Sequence, residues 1–153
     1  MNSVESIIQK YKLLPHPEGG YYREVYRSEQ LVTSSVVKND RNALTHIYFL
    51  LTKGQVSLFH KVLHDEIWNF YEGAPLRLIE YDNNEIAETT ISEGNYFKVI
   101  EAGIFQAAET TGEYTLVGCS VAPGFDFKDF SFLSGEKEIE HIKMNFPDFY
   151  RFV

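Results

Sequence analysis

At 153 residues the chain has the length of one domain, enough to bury about two-thirds of the surface its unfolded form exposes. A formal net charge of −8, with no stripe of Lys or Arg, excludes phosphate-backbone binding, which needs clustered cations to displace counterions. No nucleic-acid partner is expected. The longest apolar run, residues 47–51, is far too short to cross a bilayer, so no membrane partner is expected either.

The 12 Phe and 10 Tyr favour half-buried strands over helices. Cys119, the sole cysteine, has no internal disulfide partner, and residues 1–14 lack the apolar core and basic flank of a signal peptide. Both point to a cytoplasmic protein.

Residues 2–13 are expected to form a short helix, with Asn2 and Glu5 in a capping-box pattern and Ile7, Ile8 and Tyr11 as its apolar stripe. Pro15, Pro17, Gly19 and Gly20 end it. Tyr21–Arg27 is β-prone and carries both charges, as an edge strand or the rim of a cavity would. Residues 29–42 are polar and predict a loop. From Leu44 the pattern becomes strand, turn, strand: 44–51, 56–62, 67–71, 76–81, 85–91, 96–100, 105–108, 114–122 and 125–132. Gly, Pro and Asn clusters separate them. Phe125 and Phe127 alternate in one phase and Phe130 and Phe132 in the other, which predicts a bulge at Lys128-Asp129. A helix is expected over Glu136–Met144, capped by Ser134 or Gly135, and a last short turn from Pro147. Many short, evenly punctuated strands predict a sandwich or barrel over one domain, 1–153.

The chemistry concentrates in GQVSLFHKVLHDEIWNFYEG, residues 54–73. His60 follows Gly54 by six positions, Glu66 follows His60 by six, and Gly73 closes the stretch. This spacing resembles the first cupin motif, G-x5-H-x-H-x3-E-x6-G, with Val62 in place of the second histidine. Strict alternation puts Glu66, Trp68 and Phe70 on one strand face. If that face is the core, the carboxyl of Glu66 needs a partner: His60, a metal or a ligand. The second motif, G-x5-P-x-G-x2-H-x3-N, resembles the stretch around Gly103, with Gln106 at the histidine position and Glu101 at the proline.

The resemblance extends over HPEGGYYREVYRS (16–28), THIYFLL (45–51), SLFHKVLHDEIWNFYEGAPL (57–76), GIFQAA (103–108) and YTLVGCSVAPGFDFKDFSF (114–132). These stretches are similar to a small single-domain cupin branch catalogued as a domain of unknown function. The resemblance implies an all-β cupin double-stranded β-helix, or jelly-roll barrel, with short N- and C-terminal helices. It also implies a homodimer in which the early strand packs on the partner, and a ligand cavity at the barrel mouth. At fold level the branch is similar to the sugar-nucleotide epimerases and isomerases of the cupin superfamily.

Three candidate functions follow. One is an isomerase or epimerase of a sugar phosphate or nucleotide-sugar, with His60 as general base, Glu66 orienting it, and Tyr22 or Tyr48 as proton donor. The second is a non-catalytic protein binding a small polar or sugar-like ligand in the same cavity. The third is a metal-dependent oxygenase. His60, Glu66 and Gln106 would form at best a weak site for a divalent metal (zinc, iron, manganese or nickel), because catalytic sites usually supply three strong ligands. Gln106, Ser57, Tyr22, Tyr48 and Trp68 are candidate ligand contacts. Arg23 and Glu24 alternate, so at most one of them faces the cavity. His64 lies in a turn and is expected to be exposed, Cys119 is expected to be an inert buried thiol, and Asp126 a turn acceptor. His16, His46 and His141 show no partner in the sequence.

Overall fold

The computed structural model describes residues 3–153, so the proposed cap at Asn2 lies outside the described residues. Helix α1 (Ser3–Tyr11) leads into strands β1 (Leu14–Pro15), β2 (Tyr21–Arg27), β3 (Leu31–Thr33), β4 (Asp40–Asn42), β5 (Thr45–Thr52), β6 (Val56–Val62) and β7 (Asp65–Gly73). There follow β8 (Leu76–Asp82), β9 (Glu85–Ile91), β10 (Phe97–Ile100), β11 (Phe105–Thr110), β12 (Tyr114–Ala122) and β13 (Phe130–Phe132). Helix α2 (Glu136–Asn145) and a 3-10 turn (Pro147–Phe152) complete the chain.

The strands form a six-stranded sheet, β1-β2-β5-β12-β7-β10, and a five-stranded sheet, β13-β6-β11-β8-β9, packed face to face as a jelly roll. They stay two sheets and do not close into one continuous barrel. Between them lies the central core, where Phe49 and Leu51 of β5, Trp68 of β7, Leu78 of β8 and Val117 of β12 are almost fully buried. Each outer face has its own cover. Helix α1 lays Ile7 on Leu50 and Leu116, and the C-terminal segments lay Ile142 and Phe152 on Phe59 and Ile79. Burial of such side chains supplies most of the stabilisation, at roughly 1.5–3 kcal/mol for each large one. Among the described residues no helix is long and apolar enough to cross a membrane.

Two stretches depart from the sequence expectation. Residues 29–42 are no featureless loop: β3 and β4 pair as a hairpin with Leu31 opposite Asn42. Its exposed apolar positions, Leu31 and Val32, hid the strand pattern in a polar context. Residues 125–132 do not run as one bulged strand. Asp126 accepts a hydrogen bond from the Lys128 backbone N–H at 2.9 Å, which caps a 3-10 turn at Phe127–Asp129 and leaves only Phe130–Phe132 to pair with β6.

Two bulges decide which side chains face the cavity between the sheets. In β6, Gln106 of β11 pairs with His60 but Ala108 pairs with Ser57, so β6 holds one residue more than its partner. The extra residue inverts the alternation. Ser57 and His60 therefore share the inner side, while Phe59 packs in the outer cluster beneath the C-terminal segments. In β2, Glu24 pairs with Ile47 but Tyr26 with His46, leaving Val25 as the extra residue. Arg27 thereby joins Tyr22 and Glu24 on the cavity side.

Candidate functional site

A cavity of about 380 Å³ opens at one end of the two sheets, where β2, β6 and β12 finish and β5 and β7 begin. Its floor holds His16, Glu18, His60 and Glu66; its walls are apolar at Ile47, Val62 and Val121 and aromatic at Tyr22, Phe125 and Phe130.

The floor is built from the HPEGG loop inward. Gly19 and Gly20 adopt φ of +104° and +79°, a region open to glycine at no steric cost. A Cβ at Gly19 would stand 2.1 Å from the Val56 carbonyl oxygen, so only glycine lets the loop lie this close to β6. Leu58 N–H donates to the Glu18 carbonyl at 3.0 Å and His16 N–H to the Gly20 carbonyl at 2.9 Å, fixing the loop at both ends. The Glu18 side chain is driven inside, where one carboxyl oxygen accepts from Ser57 Oγ at 3.0 Å and the other lies 2.9 Å from His60 Nε2.

These bonds fix the protons. Leu58 O can only accept, so the 2.7 Å contact to His60 Nδ1 means that Nδ1 carries a hydrogen. Burial alone would lower the His60 imidazole, but the charge and hydrogen bond of Glu18, with Glu66 and the Leu58 carbonyl, push it up to about 9. His60 is therefore an imidazolium at neutral pH, donating from both nitrogens. Burial pulls Glu18 upward, and His60 outweighs that to hold its carboxyl below the usual range. Glu18 N–H donates to His16 Nδ1 at 3.0 Å, so His16 carries its proton on Nε2 and is neutral. Its 3.9 Å approach to the Glu18 carboxylate is accordingly no ion pair. Burial lowers the His16 imidazole further from protonation.

Glu66 stands on its own branch. Trp68 Nε1–H donates to Gln106 Oε1 at 2.7 Å, which turns the Gln106 amide so that Nε2 donates to Glu66 Oε1 at 2.6 Å. The other oxygen of Glu66 has no hydrogen-bond partner among the described residues, and the residue is only 7% exposed. Burial, opposed by His60 and helped by Glu18, pushes its carboxyl up to about 7.

The sequence candidates thus divide. His60, Glu66, Tyr22 and Glu24 line the cavity; Gln106 and Trp68 stand behind Glu66, and Ser57 stands behind Glu18. Tyr48 and Arg23 face the other way: they are cross-strand neighbours, Tyr48 packs its ring on Tyr11, and the Arg23 guanidinium donates to the Tyr11 carbonyl. The expectation that Glu66 orients His60 is replaced by Glu18, which occupies Nε2. His64 is buried, not exposed: Ser34 Oγ lies 2.6 Å from Nε2, and Asp129, itself gripped by Arg41, lies 3.7 Å from Nδ1. Cys119 lines the cavity with its thiol pushed well above the usual value by burial, so it stays protonated. Glu18, His16 and Arg27 escaped the sequence reading. The signal that could have found the first two is the pair of glycines in HPEGG, which let the loop lie directly against β6.

With this loop, both bulged strands and the His60–Glu66 spacing in place, kinship can be stated. Residues 5–133 match the model of the family described as Cupin superfamily (DUF985). The chain belongs to that family. This cupin is similar to an uncharacterized protein of Saccharomyces cerevisiae, 29% identical over an alignment of 161 positions that covers 92% of this chain and 80% of that protein. It is similar to the structure of a hypothetical protein from Leishmania major, with 29% identity, a TM-score of 0.82, and 97% and 95% of the two chains covered. A protein from Shewanella oneidensis gives 30% identity and a TM-score of 0.81, with 99% and 94% covered.

A metal of the kind many cupins hold does not fit these donors. Among the described residues no three His, Cys, Asp or Glu side chains converge as a cation cage. Val62 offers only carbon, Gln106 has committed its carbonyl to Trp68 and its amide to Glu66, and His60 has both ring nitrogens engaged.

Proposed function

We propose that this cupin binds a small polar, sugar-like ligand in the cavity and exchanges a proton with it through Glu66, in a reaction of the isomerase or epimerase type. The observation that carries the reading is the division of labour on the floor. His60 is occupied on both nitrogens and holds Glu18 ionised, while Glu66 keeps one oxygen open to the cavity and titrates near neutrality. A carboxyl poised near the working pH can both take and return a proton. His16 Nε2–H and the Tyr22 hydroxyl are the donors available to a ligand oxygen. In this reading His60 is an electrostatic support, not the base that its spacing alone predicts.

The test is solvent exchange. Incubated in D₂O with aldoses, ketoses and their derivatives, the wild type should wash deuterium into the carbon beside the carbonyl of a bound sugar, and Glu66→Gln should bind but not exchange. Absence of stabilisation by any such compound in thermal-shift screens counts against the reading, since binding raises apparent stability. Binding without exchange favours the non-catalytic alternative, which the full occupation of His60 also supports.

We also propose a cytoplasmic homodimer joined along β2. Val25 and Tyr26, thrown outward at the bulge, are 42% and 54% exposed, and they support a contact with a second copy. Light scattering reads the mass directly.

A further inference from the structure

The charges around the cavity can be paired off. Glu18 has His60, and Glu24 takes two hydrogen bonds from Arg27, at 2.6 and 3.2 Å. Arg27 spends further donors on Asn42 Oδ1 and the Phe125 carbonyl. Asp126 lies 4.0 Å from Arg41. Glu66 is left over: it forms no ion pair among the described residues, and its sole hydrogen bond comes from the neutral amide of Gln106. The His60 charge that acts on it is already paired with Glu18, so a carboxylate in that position stays costly unless it takes up a proton or a ligand supplies a further cation.

We propose that the cavity takes a ligand bearing a protonated amine, with the ammonium on the open oxygen of Glu66 and the carbon skeleton against the aromatic wall of Tyr22, Phe125 and Phe130. This rests on the small-ligand part of the reading above and adds the charge class; an ammonium seated there occupies the oxygen that proton exchange would use, so an amine ligand goes with the non-catalytic alternative. An ammonium suits the site where a metal does not, because it needs acceptors and aromatic faces but no closed set of three strong ligands. An anionic head such as phosphate finds no unspent cation: His60 and Arg27 are paired, and His16 is neutral with Nδ1 occupied as an acceptor. A neutral polyol leaves Glu66 without counter-charge. The cavity at about 380 Å³ has room for a molecule of monosaccharide size.

Two matched trios test this: glucosamine, glucose and glucose 6-phosphate by calorimetry, and ethylammonium, ethanol and ethyl phosphate by chemical-shift perturbation of the cavity residues. In the wild type the amine of each trio should bind about tenfold or more tighter than its neutral analogue, the gain of one charge-assisted hydrogen bond, with the phosphate weakest. Glu66→Gln keeps the shape and removes the charge, so the amine's advantage should fall to within about twofold there. A neutral or phosphorylated member binding as tightly as the amine overturns the amine assignment alone. So does an amine preference that survives Glu66→Gln. If no member of either trio binds, the proposal and the small-ligand reading fall together.

Discussion

Glu18 Oε2 and His60 Nε2 meet at 2.9 Å across the cavity floor, one from a loop held by two left-handed glycines and the other from a bulged strand. Neither residue is positioned by its own element alone. The pair exists because the HPEGG loop docks on β6, and its chemistry commits His60 and frees Glu66.

Breaking the pair should be expensive. Glu18→Gln or His60→Ala leaves a buried group that must either stay charged without its partner or neutralise at a cost, and should lower unfolding free energy by about 3–5 kcal/mol, measured by urea denaturation. The double variant should cost less than the sum of the singles, since it removes both charges.

The pH profile follows from the same groups. His60 has a folded value near 9 against 6.5 unfolded, so its stabilisation is complete below pH 6.5 and is lost as pH rises through 9. Glu66 is raised to about 7 from 4.5, so the folded form again binds the extra proton and stability declines from pH 4.5 to 7. Glu18, held low, acts oppositely and withdraws its stabilisation as pH falls below 4.5 through its folded value. Stability should therefore peak on the acid side of neutrality and fall between pH 7 and 9. The alkaline fall should vanish in His60→Gln.

Gly19→Ala should cost more than the roughly 1–3 kcal/mol of left-handed strain alone, because its Cβ meets the Val56 carbonyl at 2.1 Å and must lift the loop. Gly54→Ala, at φ +84° with open space around it, bears the strain only and serves as the control. Thermal melts of the two proteins compare them.

Arg41 and Arg27 should respond differently to methionine. Arg41 makes two 2.8 Å bonds to Asp129, which is almost fully buried, and its loss strands that carboxylate beside His64. The Arg27–Glu24 pair is 38% exposed on both sides and solvent-screened. Arg41→Met should therefore lower the urea midpoint clearly further than Arg27→Met.

Much of this molecule was legible in the sequence. The strands from Leu44 to Ala122 fall between their clusters of Gly, Pro and Asn because such clusters favour turns, and the spacing of His60 and Glu66 marked two of the strands that line the cavity. Three physical effects hid the rest. Bulges at β6 and β2 invert the alternation on which inward and outward assignments depend, which is how Ser57 comes to share a side with His60 and Arg27 with Glu24. The burial of Glu18 depends on contact with β6, distant in sequence. His64 looked like a turn residue because its partners, Ser34 and Asp129, come from segments 30 and 65 positions away.

The most direct measurement is the protonation of the His60 ring by ¹⁵N NMR at pH 7.5. The account predicts an imidazolium in the wild type and in Glu66→Gln, and a neutral ring in Glu18→Gln. A neutral His60 in the wild type, or a charge that depends on Glu66 and not on Glu18, would contradict it.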